Sequence, residues 1–75
     1  MHPYFFDIVT DASIQHDFHG RKLATPDDAR ELAEMIALDL EFSNGDWIAT
    51  EVEVRDVNGA RLYSVSVRHP DLIAS

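Results

Sequence analysis

Four histidines, His2, His16, His19 and His69, are the obvious candidate ligands for a transition metal, because no cysteine is present to supply a thiolate. The densest group is His16-Asp17-Phe18-His19. A zinc site needs three or four convergent donors, and two strand residues an odd number apart point to opposite faces, so only a turn or bulge at Asp17 to Gly20 could unite His16 and His19. The expectation is surface or turn histidines, no metal site and no cofactor. Among the carboxylates, Glu51 and Glu53 form the tidiest pair, two apart in an alternating stretch. General acid–base chemistry needs a cleft and a pKa pushed toward neutrality, whereas like-facing carboxylates on a wet strand face are ordinary solvated charges. With no glycine-rich phosphate loop, no thiol and no serine set between a base and an orienting acid, no catalytic residue is assigned and the chain reads as a non-enzyme.

The remaining chemistry is that of association. Asp27, Glu34 and Glu41 recur every seven residues, with Glu31 beside them, and make an acidic line along any helix that carries them. Met35, Leu38 and Phe42 fall on the side of that helix opposite its main apolar stripe, and they form the candidate interface. Fourteen Asp and Glu against six Lys and Arg leave a net charge of −8, whose field repels phosphate backbones and anionic lipid, so neither nucleic acid nor membrane is the expected partner. Seventy-five residues make one small domain with a marginal core, for which self-association is a natural remedy. The absence of cysteine, of a secretory leader and of an apolar run long enough to span a bilayer leads to the expectation of a cytoplasmic protein.

The elements that position these residues follow from local patterns. Pro3 to Val9 is aromatic and β-branched and reads as a strand, with Thr10-Asp11-Ala12-Ser13 turning the chain. Ile14 to Phe18 alternates as a short second strand, Gly20 supplies a positive φ, and Arg21 to Ala24 runs on as an extended piece. Thr25-Pro26-Asp27-Asp28 opens a helix: Thr25 as cap, Pro26 where no amide is needed, and two acids at the positive end of the dipole. That helix should run from Pro26 to about Phe42 and stop near Ser43-Asn44-Gly45, with Ala29, Leu32, Ala33, Ile36, Ala37 and Leu40 facing a sheet. Trp47 to Asp56 alternates, with Ile48, Thr50, Val52 and Val54 inward and Trp47, Ala49, Glu51, Glu53 and Arg55 outward. Asp56-Val57-Asn58-Gly59 makes a hairpin, Ala60 to Arg68 returns as the last strand, and His69-Pro70 ends it before a loose tail at 71–75.

Particular residues within this order resemble a family of short bacterial proteins known as domain of unknown function 6894. They are Pro3-x-Phe5-Phe6-Asp7-Ile8, Asp17-x-x-Gly20 followed by Leu23, Ala29 and Ala33, and Val52-x-Val54-x-Asp56-x-x-Gly59. The resemblance covers nearly the whole chain and implies a ββαββ fold with no established activity. This sequence departs from the family pattern in having Asp11-Ala12-Ser13 where an Asp-Gly turn often follows the first strand. A fainter similarity, through Thr25-Pro26-Asp27-Asp28-Ala29, is to small acidic antitoxin domains that neutralise a basic partner. The expected fold is therefore α+β: a four-stranded antiparallel sheet from two hairpins, strand order 2-1-3-4, with one helix packed on a face. The expected role is that of a non-catalytic interaction or regulatory protein that forms a homo-oligomer or binds an unidentified protein. The alternative is an acidic antitoxin-like protein or nucleic-acid mimic bound to a basic partner.

Overall fold

Residues 1–42 and 49–67 are described by the computed structural model of this chain. Aromatic and β-branched residues at the start form a nine-residue strand, β1 (His2–Thr10), that becomes the centre of the sheet. Next come β2 (Ile14–Gln15), β3 (Arg21–Leu23), the helix α1 (Pro26–Glu41), β4 (Ala49–Arg55) and β5 (Arg61–Ser66). All the pairings are antiparallel, in the order β2-β1-β4-β5, with β3 beside β1 on the same side as β2. The molecule is thus α+β, with one helix and an antiparallel sheet among the described residues.

The strand count differs from four because the expected second strand is broken. Only Ile14 and Gln15 pair with Val9 and Ile8, while Arg21 to Leu23 form a strand of their own against Tyr4, Pro3 and His2. Three residues of β1, Phe5 to Asp7, lie opposite five, His16 to Gly20, and the surplus leaves the ladder as a loop. The amide of Phe6 donates to Asp17 Oδ2 at 3.1 Å, a side chain taking the place of the missing backbone acceptor.

The first turn closes without glycine. Thr10 N donates to the Ser13 carbonyl at 2.8 Å, and Thr10 Oγ1 accepts from the amides of Ala12 and Ser13. In the second hairpin Val57 and Asn58 turn the chain. Asp56 Oδ1 accepts from the amides of Asn58 and Ala60, and Gly59 takes a φ of +85° as the sequence requires.

Register places Phe6 opposite Val54 and Ile8 opposite Val52 on one sheet face, and these side chains meet the helix. Ala29, Ala33 and Ala37 of α1 are buried in the same core as Tyr4, Phe6, Ala49, Val52, Val54 and Val67, with Leu32, Ile36 and Leu40 partly buried around it. The helical stripe read from periodicity is therefore the one that is buried. In β1 Tyr4 belongs to the core and Phe5 lies on the other face, and two assignments in β4 change: Ala49 is buried rather than outward and Thr50 is exposed rather than inward. The helix ends at Glu41, with Phe42 as its cap residue. Ser43-Asn44-Gly45, Trp47, Ile48, His69-Pro70 and the tail at 71–75 lie outside the described residues.

Thr25 caps α1 from an extended conformation, its Oγ1 accepting from the Asp28 amide at 3.2 Å, with Pro26 in the first turn. Thr25→Ala should therefore cost about 1 kcal/mol in urea denaturation and Thr25→Ser only a few tenths. Equal stability of wild type and Thr25→Ala would show that the cap contributes nothing.

Candidate interaction surface

The sheet face turned away from the helix holds an ionised cluster built on β1. Alternation sends Asp7 to that face, yet its side chain is 1% exposed, sealed by β4 and by the loop from His16 to Gly20. Arg55 lies along it, Nε donating to Oδ2 and Nη2 to Oδ1 at 3.1 Å, in a two-pronged pair. The Asp17 amide donates to Oδ1 at 3.0 Å, and His16 Nδ1 stands 3.3 Å from Oδ2. Asp17 organises the loop in turn, accepting from the amides of Phe6, His19 and Gly20 at 3.0–3.1 Å. The Arg55 guanidinium lies 5.4 Å from the centre of the Phe5 ring. Gly20 is at φ +72°, and a Cβ there would come within 2.9 Å of that ring.

These contacts fix the charge states. Burial pushes the Asp7 carboxyl up, but the Arg55 hydrogen bond, the Asp17 amide, the His16 ring and the Arg55 charge together outweigh it and hold Asp7 below the ordinary carboxylate value. Asp17 is likewise lowered, because the amides of Gly20, Phe6 and His19 and the nearby His19 overcome burial. Arg55 is raised, chiefly by its hydrogen bond to Asp7. Asp7 and His16 have the outline of a carboxylate–imidazole dyad, but Arg55 and a backbone amide already occupy the carboxylate. No hydrogen bond among the described residues joins His16 to a hydroxyl. The cluster holds the loop against the sheet.

The sequence candidates divide accordingly. His16 and His19 share the loop, but only His16 reaches Asp7, and His19 is exposed. Among the described residues no group of three His, Asp or Glu could hold a metal; His69 lies outside them. Glu53 is not a solvated charge: it is 7% exposed and accepts from Arg61 Nη1 at 2.9 Å, while Glu51 is half-buried. Asp7, Asp17 and Arg55 escaped the sequence reading as a unit. The available signal was an acid in the middle of an aromatic, β-branched strand, with a lone arginine on the wet face of its partner strand.

The interface candidates occupy the other side of the molecule. Met35, Leu38 and Phe42 are 66%, 55% and 74% exposed. Met35 and Leu38 line a groove of about 550 Å³ between α1 and β5, floored by Ala37, Val65 and Ser66 and rimmed by Glu31, Glu34 and Glu41. Arg30 pairs with Glu34 at 3.4 Å and lies 5.8 Å from the centre of the Tyr63 ring. The seven-residue acidic line is thus present as a groove rim at Glu34 and Glu41, while Asp27 sits apart in the first helical turn. Among the described residues no helix is long and apolar enough to cross a membrane.

A family model described as Domain of unknown function (DUF6894) matches residues 4–68, a span that contains the whole Asp7 cluster and the groove. No curated protein and no solved structure matches the chain.

Asp7→Asn keeps the side-chain shape but strips Arg55 of its counter-charge. The expected cost is about 3 kcal/mol, at the low end for breaking a buried pair because Arg55 retains some contact with water. Because Asp7 and Asp17 have lowered pKa values, their stabilisation is complete above the ordinary value of 3.8 and is lost as the pH falls through and below it. Urea midpoints should therefore be level from pH 7 to about 5 and fall steeply below about 4, with a shallower fall in Asp7→Asn. An acid limb identical in the two proteins would remove Asp7 as its cause.

Proposed function

The chain belongs to the DUF6894 family of unknown function, and on that premise we propose that it is a non-catalytic interaction protein that self-associates through the outward side of α1. The observation that carries this reading is the placement of Met35, Leu38 and Phe42, three large apolar side chains exposed along one helix while the core beneath is built on alanines. Covering one such side chain is worth roughly 1.5–3 kcal/mol, enough for three from each copy to offset part of the entropy lost on pairing. A regulatory or scaffolding role fits a site whose ionisable cluster is already committed to structure. The cysteine-free composition suits a cytoplasmic setting.

A second reading has one observation in its favour. Glu31, Glu34 and Glu41 rim the same groove on a chain of net charge −8, which suits a basic protein partner of the kind an acidic antitoxin binds. Salt separates the two: pairing of like-charged copies tightens as charges are screened, whereas acid–base pairing weakens.

Sedimentation velocity at high micromolar concentration should show a dimer for wild type that strengthens between about 0.05 and 0.5 M salt. Leu38→Glu should be a monomer with unchanged far-UV circular dichroism, because the position lies outside the core. A wild type that stays monomeric at every salt concentration would overturn self-association.

A further inference from the structure

The two edges of the sheet are unlike. On one side β1 is flanked by β2 and β3, two and three residues long, interrupted where His16 to Gly20 leave the ladder to close over Asp7. So short and broken an edge is a poor template for another strand. The opposite edge is β5, six consecutive residues with no strand on its outer side among the described residues. Val67 N donates to the Thr50 carbonyl at 2.9 Å. By the alternation of an antiparallel ladder, Tyr63 and Val65 also turn their backbone groups toward β4, and Ser64 and Ser66 turn theirs outward.

Those two outward residues flank Val65 symmetrically. We propose that the protein forms an isologous dimer in which β5 pairs antiparallel with β5 of a second copy about a two-fold axis at Val65, joining two sheets into one. In this register Ser64 of each copy pairs with Ser66 of the other, and every outward N–H and carbonyl of the two serines is satisfied. The proposal rests on the self-association reading above and specifies its geometry.

The self-complementary edge and the apolar lining of the groove beside it favour a second copy as the occupant. Arg30 lies over Tyr63, while Leu38 and Glu41 line the groove with Val65 and Ser66, so α1 runs in the same direction as β5. The two-fold axis then sets the two helices antiparallel above the joined strands. Both grooves merge into one seam floored by the two Val65 side chains and filled by Met35 and Leu38 from each copy. The same reversal brings Arg30 of one helix, beside its own Glu31 and Glu34, toward Glu41 of the other, so the seam stays acidic overall and its pairing rests on apolar contact and strand hydrogen bonds, in keeping with a dimer that strengthens as salt screens charge.

The chain has no cysteine, so single introduced thiols report the register. Val65→Cys would place two sulfurs at a non-hydrogen-bonded pair with Cα atoms about 4.5 Å apart, within disulfide range. Mild oxidation should convert most of it to a covalent dimer on a non-reducing gel. Ser64→Cys alone and Ser66→Cys alone should give little, whereas their mixture should cross-link. Ser64→Pro, which removes an outward amide and keeps the β4 side intact, should weaken dimerisation at least tenfold by sedimentation with unchanged circular dichroism. A wild-type dimer with no cross-link at Val65→Cys or in the Ser64→Cys and Ser66→Cys mixture, or with Ser64→Pro pairing as tightly as wild type, would overturn the β5 axis and leave self-association standing. A monomeric wild type would overturn both.

Discussion

A carboxylate taken out of water in a domain this small must be fully paired, because an unpaired one costs several kcal/mol of a total stability that is itself only of that order. Asp7 meets that demand with three groups from two segments: Arg55 of β4, and the His16 ring and Asp17 amide of the loop. Each partner brings its own segment into position. Arg55 locks the register of the central strand pair, and Asp17 draws the loop over the outer sheet face, where its own carboxylate captures the amides of Phe6, His19 and Gly20. Gly20 then passes against Phe5 with no room for a side chain. The outer face of β1 is therefore closed by charge and hydrogen bonding, as its inner face is closed by apolar packing.

The parts of this architecture that local rules govern were legible in the sequence. Thr25-Pro26 marks the start of α1, the spacing of Ala29, Ala33 and Ala37 gives its buried stripe, and Gly59 occupies the positive-φ position of the second hairpin. What alternation cannot show is whether a second layer covers an outward residue. Asp7 and Glu53 both fall on the face that period-two reasoning makes wet, and both are buried, Asp7 beneath a loop and Glu53 in an ion pair with Arg61. The break between β2 and β3 was hidden for a related reason. A side-chain oxygen of Asp17 replaces a backbone acceptor, and no pattern of apolar and polar residues encodes that exchange. At the candidate site, the outward exposure of Met35, Leu38 and Phe42 followed from helical angle alone. The groove beside them did not, because it depends on where β5 lies against α1.

The distribution of side-chain size is the inverse of what maximum stability would select. The helix fully buries only alanines, which let it approach the sheet closely but contribute little apolar area; Leu32, Ile36 and Leu40 are partly buried beside them, while Met35 and Leu38 remain outside. A core of this kind leaves much of the chain's apolar capacity available for contacts beyond the monomer, and it places that capacity next to the longer open edge of the sheet.

The central position of β1 also sets the order of events as the chain folds. Its partner on one side follows within a few residues, but on the other side it waits for β4, and the Asp7–Arg55 pair closes across 48 positions. Closing a loop of that size costs about 3 kcal/mol of chain entropy before any contact repays it. The early hairpin alone, with a two-residue β2, is too small to persist, so the acid at its centre stays hydrated until β4 arrives. The β1–β4 ladder is thus the long-range step of assembly, and the Asp7–Arg55 pair ties together segments that nothing local holds in place.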